Sequence, residues 1–357
     1  MKIIKCVSSI IDVTKIYLML LLLSFFSLLI FTGCEKAEMV QEEVEEDGSV
    51  QIGICFDSYL IERWERDRDV FVSTAKEMGA VVNVQNANGD PEEQIKKIQY
   101  FIDKKMDVIV IIGVDCDGLS DIVQKAKNQG IKVIAYDRMI NNANVDLYIS
   151  FDNEAVGTLM GEELVKNPLE NGKVLMISGP DSDTNVTHVN EGFQSVMKEN
   201  QIEIVDMIQC EGWRPEYASE YINEHGDLLN EIDAVMCGND SIATQVVYAL
   251  SEKRKAGKIL VTGQDAELVA CQRIVEGTQL MTVYKPVEKE AKKAAECAIL
   301  LAKGEDIPDS MDILSNGKYE VPSIILTPIS VVKDNMDETI VESGFHLAEE
   351  IYLNVSR

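Results

Sequence analysis

Residues 107–136 read DVIVIIGVDCDGLSDIVQKAKNQGIKVIAY, and this stretch decides the fold. Two largely apolar runs, DVIVII and IKVIAY, flank a segment over residues 119–129 whose apolar side chains recur at helical spacing. A strand that is apolar along its whole length needs cover on both faces, which is the condition inside a parallel sheet. The stretch therefore predicts a βαβ unit whose helix packs against the sheet.

The same alternation of apolar runs and amphipathic segments extends to both sides of this unit. The upstream runs are QIGICF and AVVNVQ, and DLYISF follows directly downstream. From residue 153 the pattern starts again, with the runs GKVLMIS, IEIVDMI, DAVMCG, KILVTG and LMTVY separated by helical segments. The sequence therefore predicts an α/β fold of two doubly wound parallel-sheet lobes.

A helix over residues 286–303 and the run SIILTPISVV follow the second lobe, so we expect a hinge that the chain crosses more than once. The predicted parts are an export signal, an acidic tether, two lobes of two segments each, and a plain tail. Their bounds are 1–33 for the signal, 34–49 for the tether, 50–151 plus 285–312 for the N-terminal lobe, 152–284 plus 313–345 for the C-terminal lobe, and 346–357 for the tail.

Composition and charge narrow the function. The chain has 357 residues, 46% of them hydrophobic, which is enough for two domains with buried cores. A net charge of −28 argues against nucleic acid as a partner, because the phosphate backbone needs a basic surface. The three histidines have no spacing typical of catalysis or metal binding, and no nucleophile or phosphate-loop motif is present. We therefore expect no enzyme activity, no cofactor and no metal.

The N-terminus indicates export. Lysines at positions 2, 5 and 15 precede sixteen uncharged residues, IYLMLLLLSFFSLLIF, and then TGC. Gly33 before Cys34 resembles the end of a bacterial lipobox, which predicts lipidation of Cys34 and a lipid anchor. The alternative is an uncleaved transmembrane anchor, although the apolar stretch is short for one. Either anchor places the remainder outside the cytoplasmic membrane, on the acidic tether EKAEMVQEEVEED.

The eight cysteines do not form a recognisable framework. They include no C-x-x-C pair and no spacing suited to zinc. We expect most of them to be buried as small hydrophobic residues, with a disulfide left open.

Polar and aromatic residues follow the predicted strands of both lobes. They are Asp57, Arg63, Trp64, Asp137, Arg138, Asp152, Asn153, Trp213, Asn239, Asp240, Gln264, Asp265 and Lys285. Ligands bind at the carboxyl ends of parallel strands, so we expect these side chains to converge on one cleft. Taken singly, each acid could serve only as a helix N-cap, and each arginine or lysine could be a surface residue. Together they predict a site.

The residue types in this set suit a neutral polyhydroxylated ligand. Carboxylates accept from hydroxyl groups, arginine and lysine donate to hydroxyl and ring oxygens, and amides do both. The two indoles can cover the apolar faces of a sugar ring. We therefore predict that Trp64, which stands in the charged stretch ERWERDRDVF, forms one wall of a sugar site.

Several stretches resemble the D-xylose-binding proteins of bacterial sugar transport, within the type I periplasmic-binding-protein superfamily. They are RWERDRDVF, QNANGDPEEQI, VIAYDRMINNANVDLYISFDNEAVG, GNDSIA, VTGQDAEL, GTQLMTVYKP and VPSIILTPI, and the similarity covers residues 50–346. The resemblance implies two lobes joined by a three-strand hinge that closes over one pyranose. It also implies that Trp64 and Trp213 sandwich the sugar, and that hydrogen bonds come from Arg63, Asp137, Arg138, Asn153, Asn239, Asp265 and Lys285.

One stretch departs from the family pattern. Where the family commonly has a Phe-Arg pair before a glycine, this chain reads THVNEG, with Val189 and Asn190 at those positions. Because the stretch begins a helix of the second lobe, we expect it to affect the rim of that lobe or the sugar preference.

The expected function is capture of D-xylose or a similar aldose by a monomeric, membrane-tethered binding protein that delivers it to an ABC permease. The alternative is a sugar sensor that presents its ligand state to a chemoreceptor or a membrane sensor kinase. The binding lobes would look the same in both cases.

Overall fold

The computed structural model of the protein describes residues 48–308 and 311–357. Ser49–Arg357 form one compact unit. The predicted export signal, Cys34 and nearly all of the acidic tether lie outside the described residues. Within the described part of the chain, no helix is both long enough and apolar enough to cross a membrane.

In the described ranges the strands follow one another as β1 (Gln51–Phe56), β2 (Val81–Asn86), β3 (Val108–Ile111), β4 (Lys132–Tyr136), β5 (Leu147–Phe151), β6 (Lys173–Ser178), β7 (Glu203–Gln209), β8 (Ala234–Cys237), β9 (Leu260–Gln264), β10 (Met281–Tyr284), β11 (Asp312–Ser315), β12 (Glu320–Leu326) and β13 (Ile329–Val331). The α-helices there are α1 (Arg63–Glu77), α2 (Pro91–Asp103), α3 (Ser120–Asn128), α4 (Asn153–Val165), α5 (Thr184–Glu199), α6 (Glu216–Glu224), α7 (Asp240–Glu252), α8 (Leu268–Glu276), α9 (Val287–Lys303) and α10 (Ala348–Ile351).

The first lobe is a seven-stranded sheet in the order β11-β12-β5-β4-β3-β1-β2. Strand β3 shows why its sequence is apolar throughout. Val108 and Val110 belong to the core that includes residues of α1 and α9, whereas Ile109 and Ile111 belong to the core that includes residues of α2 and α3. Both faces of the strand are covered, as residues 107–136 predict.

The second lobe is a six-stranded sheet in the order β13-β10-β9-β8-β6-β7. Its strands pair in parallel except for β13, which runs antiparallel to β10. Helices α4 and α5 bury Val156 and Phe193 with the strands of this lobe. Two doubly wound lobes in series, the predicted fold class, are therefore confirmed.

Within the described residues the chain passes between the two sheets three times. It does so from β5 to α4, from β10 to α9 and from β12 to β13. Helix α9 packs against α1 and against β3 and β4, in the first lobe.

The assignment of residues 313–345 to the C-terminal lobe is wrong for its first part. Strand β12 pairs in parallel with β5 and β11 pairs antiparallel with β12, so both extend the first sheet. Only β13 joins the second sheet. The run SIILTPISVV is apolar on both sides of this crossing, so composition does not mark the point at which the chain changes lobes.

The C-terminal segment is more ordered than a plain tail. Helix α10 packs against α8, and its Ile351 is buried together with Ile274 and Phe345. The last residues therefore complete a small core of the second lobe.

The six described cysteines are all buried. They are Cys55, Cys116, Cys210, Cys237, Cys271 and Cys297. The prediction that most cysteines act as small hydrophobic residues is confirmed for these six.

Helices α4 and α5 touch at glycine. A Cβ atom on Gly157 would lie 1.8 Å from the carbonyl oxygen of Val189, and one on Gly192 would lie 2.0 Å from that of Glu154. The neighbouring atoms are backbone, so neither contact can be relieved by a side-chain rotation. Two glycines thus set the distance between the helices.

We predict that Gly192→Ala destabilises the protein by about 1 to 3 kcal/mol or more, because the added methyl must push α4 and α5 apart. Denaturant unfolding measures the change. Glu191→Ala, at the neighbouring exposed position of α5, is the control and should stay near wild type. Wild-type stability of the Gly192 variant would contradict the close contact.

Candidate functional site

A cavity lies between the two lobes, where the carboxyl ends of both sheets meet. Sites for small ligands are commonly found in clefts between domains. The first lobe and the crossings contribute Ile61, Arg63, Trp64, Asp137, Arg138, Asn153 and Lys285. The second lobe contributes Ser178, Gly179, Asp183, Asn185, Val186, Val189, Asn190, Trp213, Gly238, Gln264 and Asp265.

Eight of the nine predicted sugar-binding residues line this cavity, and Asn239 does not. The Oδ1 atom of Asn239 accepts a hydrogen bond of 2.9 Å from the backbone N–H of Ile242, so the side chain caps α7. Gly238, one residue earlier, lines the cavity instead. The position after a strand can serve either purpose. The cap uses only the Oδ1 atom, and the buried Nδ2 atom of Asn239 has no hydrogen-bond partner among the described residues.

The two indoles reach the cavity from opposite lobes. Trp64 is 1% exposed, and the guanidinium carbons of Arg63 and Arg138 lie 4.5 and 5.6 Å from its ring centroid. Trp213 donates from Nε1 to Asp183 over 3.1 Å and packs against Gly179. A Cβ atom on Gly179 would lie 2.4 Å from this indole, so the glycine is needed for the ring to sit there.

Arg63 is largely occupied by carboxylates of its own lobe. Its Nε and Nη2 atoms donate to Asp67, its Nη2 atom also donates to Glu290 over 2.6 Å, and its Nη1 atom donates to Asp137 over 2.8 Å. These bonds use four of the five N–H donors of a guanidinium. One donor on Nη1 remains for a ligand, fewer than the sequence suggests.

Arg138 links the lobes. Its Nη1 atom donates to Asp57 and to the carbonyl of Gly113, and its Nε atom lies 2.6 Å from Asp183 across the cleft. Burial raises the pKa of Asp57 and of Asp183, although Arg138 opposes the shift at both. The Nη2 atom has no such partner among the described residues, so it can donate to a ligand.

Asp137 is held as an anion. Burial alone would raise its pKa, but Arg63, Lys285 and Arg138 together bring the pKa below the ordinary value. Its second oxygen accepts from Asn185 of the second lobe over 2.9 Å. Asp137 thus joins the first-lobe network to α5.

The loop after β9 is held by buried carboxyl groups. Asp265 pairs with Lys285 at 2.8 Å, and Gln264 donates to the carbonyl of Gly238. Asp240 accepts from the backbone N–H of Glu267 and from the hydroxyl of Thr282. Asp240 therefore anchors the loop that presents Asp265 to the cavity.

Three site residues have backbone angles in the left-handed region. The φ angles are 62° at Asp137, 59° at Trp213 and 91° at Asp265. Such strain in residues other than glycine costs about 1 to 3 kcal/mol each and is concentrated at functional sites. The surrounding hydrogen bonds hold it in place, as in the 2.6 Å bond from Ser150 Oγ to the Asp137 carbonyl.

Several lining residues were missing from the prediction. Asp183 and Asn185 follow β6, and the strand-end rule that found the other residues also applies there. Val189 and Asn190, noted only as a departure from the family pattern, also line the cavity. Asn190 accepts from Ser178 over 2.9 Å.

Three polar atoms of lining residues are buried and have neither a hydrogen-bond partner nor an ion-pair partner among the described residues. They are Nε1 of Trp64, Oδ1 of Asn185 and Oε1 of Gln264. Buried polar groups are normally paired, because a group without a partner loses its bond to water. One donor and two acceptors are thus available to hydrogen-bond a ligand that carries hydroxyl groups. In the described ranges, no group of three or more His, Cys, Asp or Glu side chains could hold a metal ion.

Two α/β lobes, joined by three crossings and enclosing a polar cavity at the carboxyl ends of their strands, define a type I periplasmic binding protein. The periplasmic binding protein domain family matches residues 52–306, and the chain belongs to this family.

Sequence comparison places D-xylose-binding periplasmic proteins among its relatives. The protein of that name from Haemophilus influenzae is 42% identical over 308 residues, which cover 85% of this chain and 92% of the relative. The one from Escherichia coli is 42% identical over 307 residues, with the same coverage. The resemblance noted in the sequence is confirmed. At the level of the family, the chain belongs with binding proteins and not with enzymes.

A solved structure has the same architecture. The ABC transporter solute-binding protein from Clostridium phytofermentans, with bound β-D-glucose, superposes with a TM-score of 0.75 at 25% identity. The match covers 84% of this chain and 99% of that one.

We predict that stability falls as the pH rises from about 4 to 8. Burial raises the pKa of Asp240 to about 7, and burial together with Asp240 raises that of Glu267 to about 8. The folded state therefore binds protons that the unfolded state has released above about pH 4, and it loses this stabilisation as the pH passes 7 to 8. Denaturant unfolding at successive pH values tests the slope.

Glu267→Gln should flatten this profile above pH 7, because Gln keeps the acceptor that Ser241 uses at 2.5 Å but carries no proton. Glu191→Gln, at an exposed position of α5, is the control. A profile that rises with pH would contradict the assignment.

Proposed function

We propose that this protein captures D-xylose, or a closely similar aldose, in the interlobe cavity and delivers it to an ABC permease. It is held outside the cytoplasmic membrane by a lipid on Cys34 or by an N-terminal anchor, and it acts as a monomer. The D-xylose-binding relatives, 42% identical over most of the chain, support the choice of ligand.

The observation that carries the proposal is the pairing of two indoles with unpartnered polar atoms. Trp64 and Trp213 come from different lobes and both line the cavity, which suits the apolar faces of a pyranose. The unpartnered atoms at Trp64, Asn185 and Gln264 suit the ring's hydroxyl groups. A closing protein can place both kinds of group around one sugar.

Charge also favours a neutral ligand over a phosphorylated one. The buried cations of the site are Arg63, Arg138 and Lys285, and the buried carboxyl groups around them are Asp57, Asp67, Asp137, Asp183, Asp265 and Glu290. Carboxyl groups outnumber cations, and the arginines are already paired. A phosphate would find no unpaired cluster of donors, whereas a polyol needs none.

The mechanism is closure of the lobes on the sugar. Interlobe contacts include the Arg138–Asp183 pair, the Asn185–Asp137 bond and a 3.2 Å bond from Thr184 to the Met139 carbonyl. A ligand that touches both lobes favours the closed form by its differential affinity for it. The permease would then recognise the closed form.

We predict that Trp64→Ala and Asp265→Ala each weaken D-xylose binding by about 1 to 3 kcal/mol, because each removes a contact to the sugar. Isothermal titration of the full-length chain in detergent measures this, with ribose, arabinose and glucose for comparison. Tyr248→Ala is the control, because Tyr248 is a 60% exposed aromatic residue on α7. Wild-type affinity in both variants would exclude this cavity as the site.

We predict that D-xylose slows the reaction of Cys116 with a thiol reagent. Cys116 is 1% exposed, and its backbone N–H donates to Ser182 of the second lobe over 3.2 Å. Burial raises the pKa of its thiol to about 12, so opening of the cleft is needed for reaction. Cys116→Ala should remove the sugar-sensitive fraction, whereas Cys55→Ala, in the core of the first lobe, should keep it. A labelling rate that sugar does not change would contradict closure.

A further inference from the structure

Glu290 is a buried carboxyl group that does not line the cavity. It lies in the first turns of α9, five residues after Lys285, and is 0% exposed. Its Oε2 atom is 2.6 Å from Nη2 of Arg63, the shortest of the four Arg63 contacts. Its Oε1 atom has no partner among the described residues.

Stability does not account for this carboxyl group. Asp67 and Asp137 already give Arg63 two anionic partners, so a third carboxylate exceeds the charge of the arginine. Burial raises the pKa of Glu290 well above its ordinary value, against the opposing effect of Arg63, and Asp137 and Asp67 add to the rise. Because the cost of burying charges can exceed their mutual attraction, a buried ion pair is weak evidence of a stabilising role.

The contacts that Glu290 makes with Arg63 explain why a carboxyl group lies at this position. The shared Nη2 atom of Arg63 is held by Asp67 from within α1 and by Glu290 from α9. This directs Nη1 to Asp137, whose other oxygen holds Asn185 of the second lobe. The same guanidinium lies over the ring of Trp64. Arg63 thus connects one contact outside the cavity to three groups that line it.

We propose that Glu290 is a positioning residue of the sugar site, which orients Arg63 and, through it, Asp137 and the face of Trp64. The inference rests on the proposed function for its effect on affinity. It adds a residue outside the cavity to the set that determines how tightly the sugar is held.

The test compares Glu290→Gln with Glu290→Leu in the full-length chain in detergent. Gln keeps an oxygen that can accept from Arg63, whereas Leu keeps only the approximate volume. We expect D-xylose affinity to fall at least about tenfold in the Leu variant, as for loss of a hydrogen bond to a charged group, and by less than about threefold in the Gln variant.

Stability separates positioning from a merely structural role. The Leu variant should unfold at a denaturant concentration close to that of wild type, because Arg63 keeps Asp67 and Asp137 as partners, while it should bind the sugar more weakly. Glu288→Gln is the matched control, because Glu288 lies on the same helix and pairs with Arg66, away from Arg63. It should keep wild-type affinity.

The fluorescence emission of Trp64 tests the role of Glu290 without any sugar. The chain has two tryptophans, so Trp213→Phe leaves Trp64 as the only indole. In that background, Glu290→Leu should shift the Trp64 emission and change its quenching, because Arg63 is no longer held over the ring. Glu290→Gln should leave both unchanged. If the Leu variant fails to fold, Glu290→Asp, which keeps the carboxyl group but draws it back from Arg63, decides by the same two measurements: weaker binding with a shifted emission supports the role, and wild-type values of both overturn it.

The outcomes are distinct. If wild type binds no aldose, the proposed function fails, and the emission of Trp64 alone decides the role of Glu290. If wild type binds D-xylose and the Leu variant binds it equally well, with unchanged emission, Glu290 is not a positioning residue. Weak binding in the Gln variant with unchanged Trp64 emission would also overturn the inference, since a retained acceptor would then give no rescue.

Discussion

The ion pair between Arg138 and Asp183 is the contact on which the closed arrangement depends. It joins the end of β4 in one lobe to the start of α5 in the other, and both side chains are about 3% exposed. Arg138 also pairs with Asp57, and Asp183 also accepts from Trp213, but each group loses its partner in the other lobe when the cleft opens. When the lobes separate, water must replace the partner. Closure and solvation of the cleft are therefore one equilibrium, and a ligand that excludes water from the cavity shifts it.

The rest of the site follows from the excess of buried carboxyl groups over cations. Each guanidinium contacts several carboxyl groups. These contacts fix its orientation but leave few of its N–H donors for a ligand. Arg63 has one and Arg138 has the two of Nη2, so these arginines define the shape of the cavity more than they bind through it. A ligand then meets isolated donors and acceptors between two indoles. Such a surface suits a neutral polyhydroxylated ligand better than an anion.

Three site residues have strained backbone conformations that their buried neighbours hold in place. Asp137, Trp213 and Asp265 have left-handed backbone conformations, and each is held by neighbours that are themselves buried. The close contact of α4 and α5 at two glycines supports the helix whose first turns carry Asn185 and Asn190. A preorganised site loses less entropy when it binds. The second lobe thus presents Asn185 and Asn190 to the cavity from a closely packed pair of helices.

The sequence by itself determined most of the two sheets and half of the residues that line the cavity. Apolar runs such as VIVI in β3 must be covered on both faces, and residues directly after parallel strands must meet at one edge, so Trp64, Arg138 and Asp265 could be found without coordinates. Tertiary structure decided what no local pattern encodes. Asn239 became a helix cap, β11 and β12 joined the first sheet, and Asp183 and Glu290 became partners of the two arginines. Glu290 is 227 residues from Arg63 along the chain, so only the folded arrangement shows that they pair.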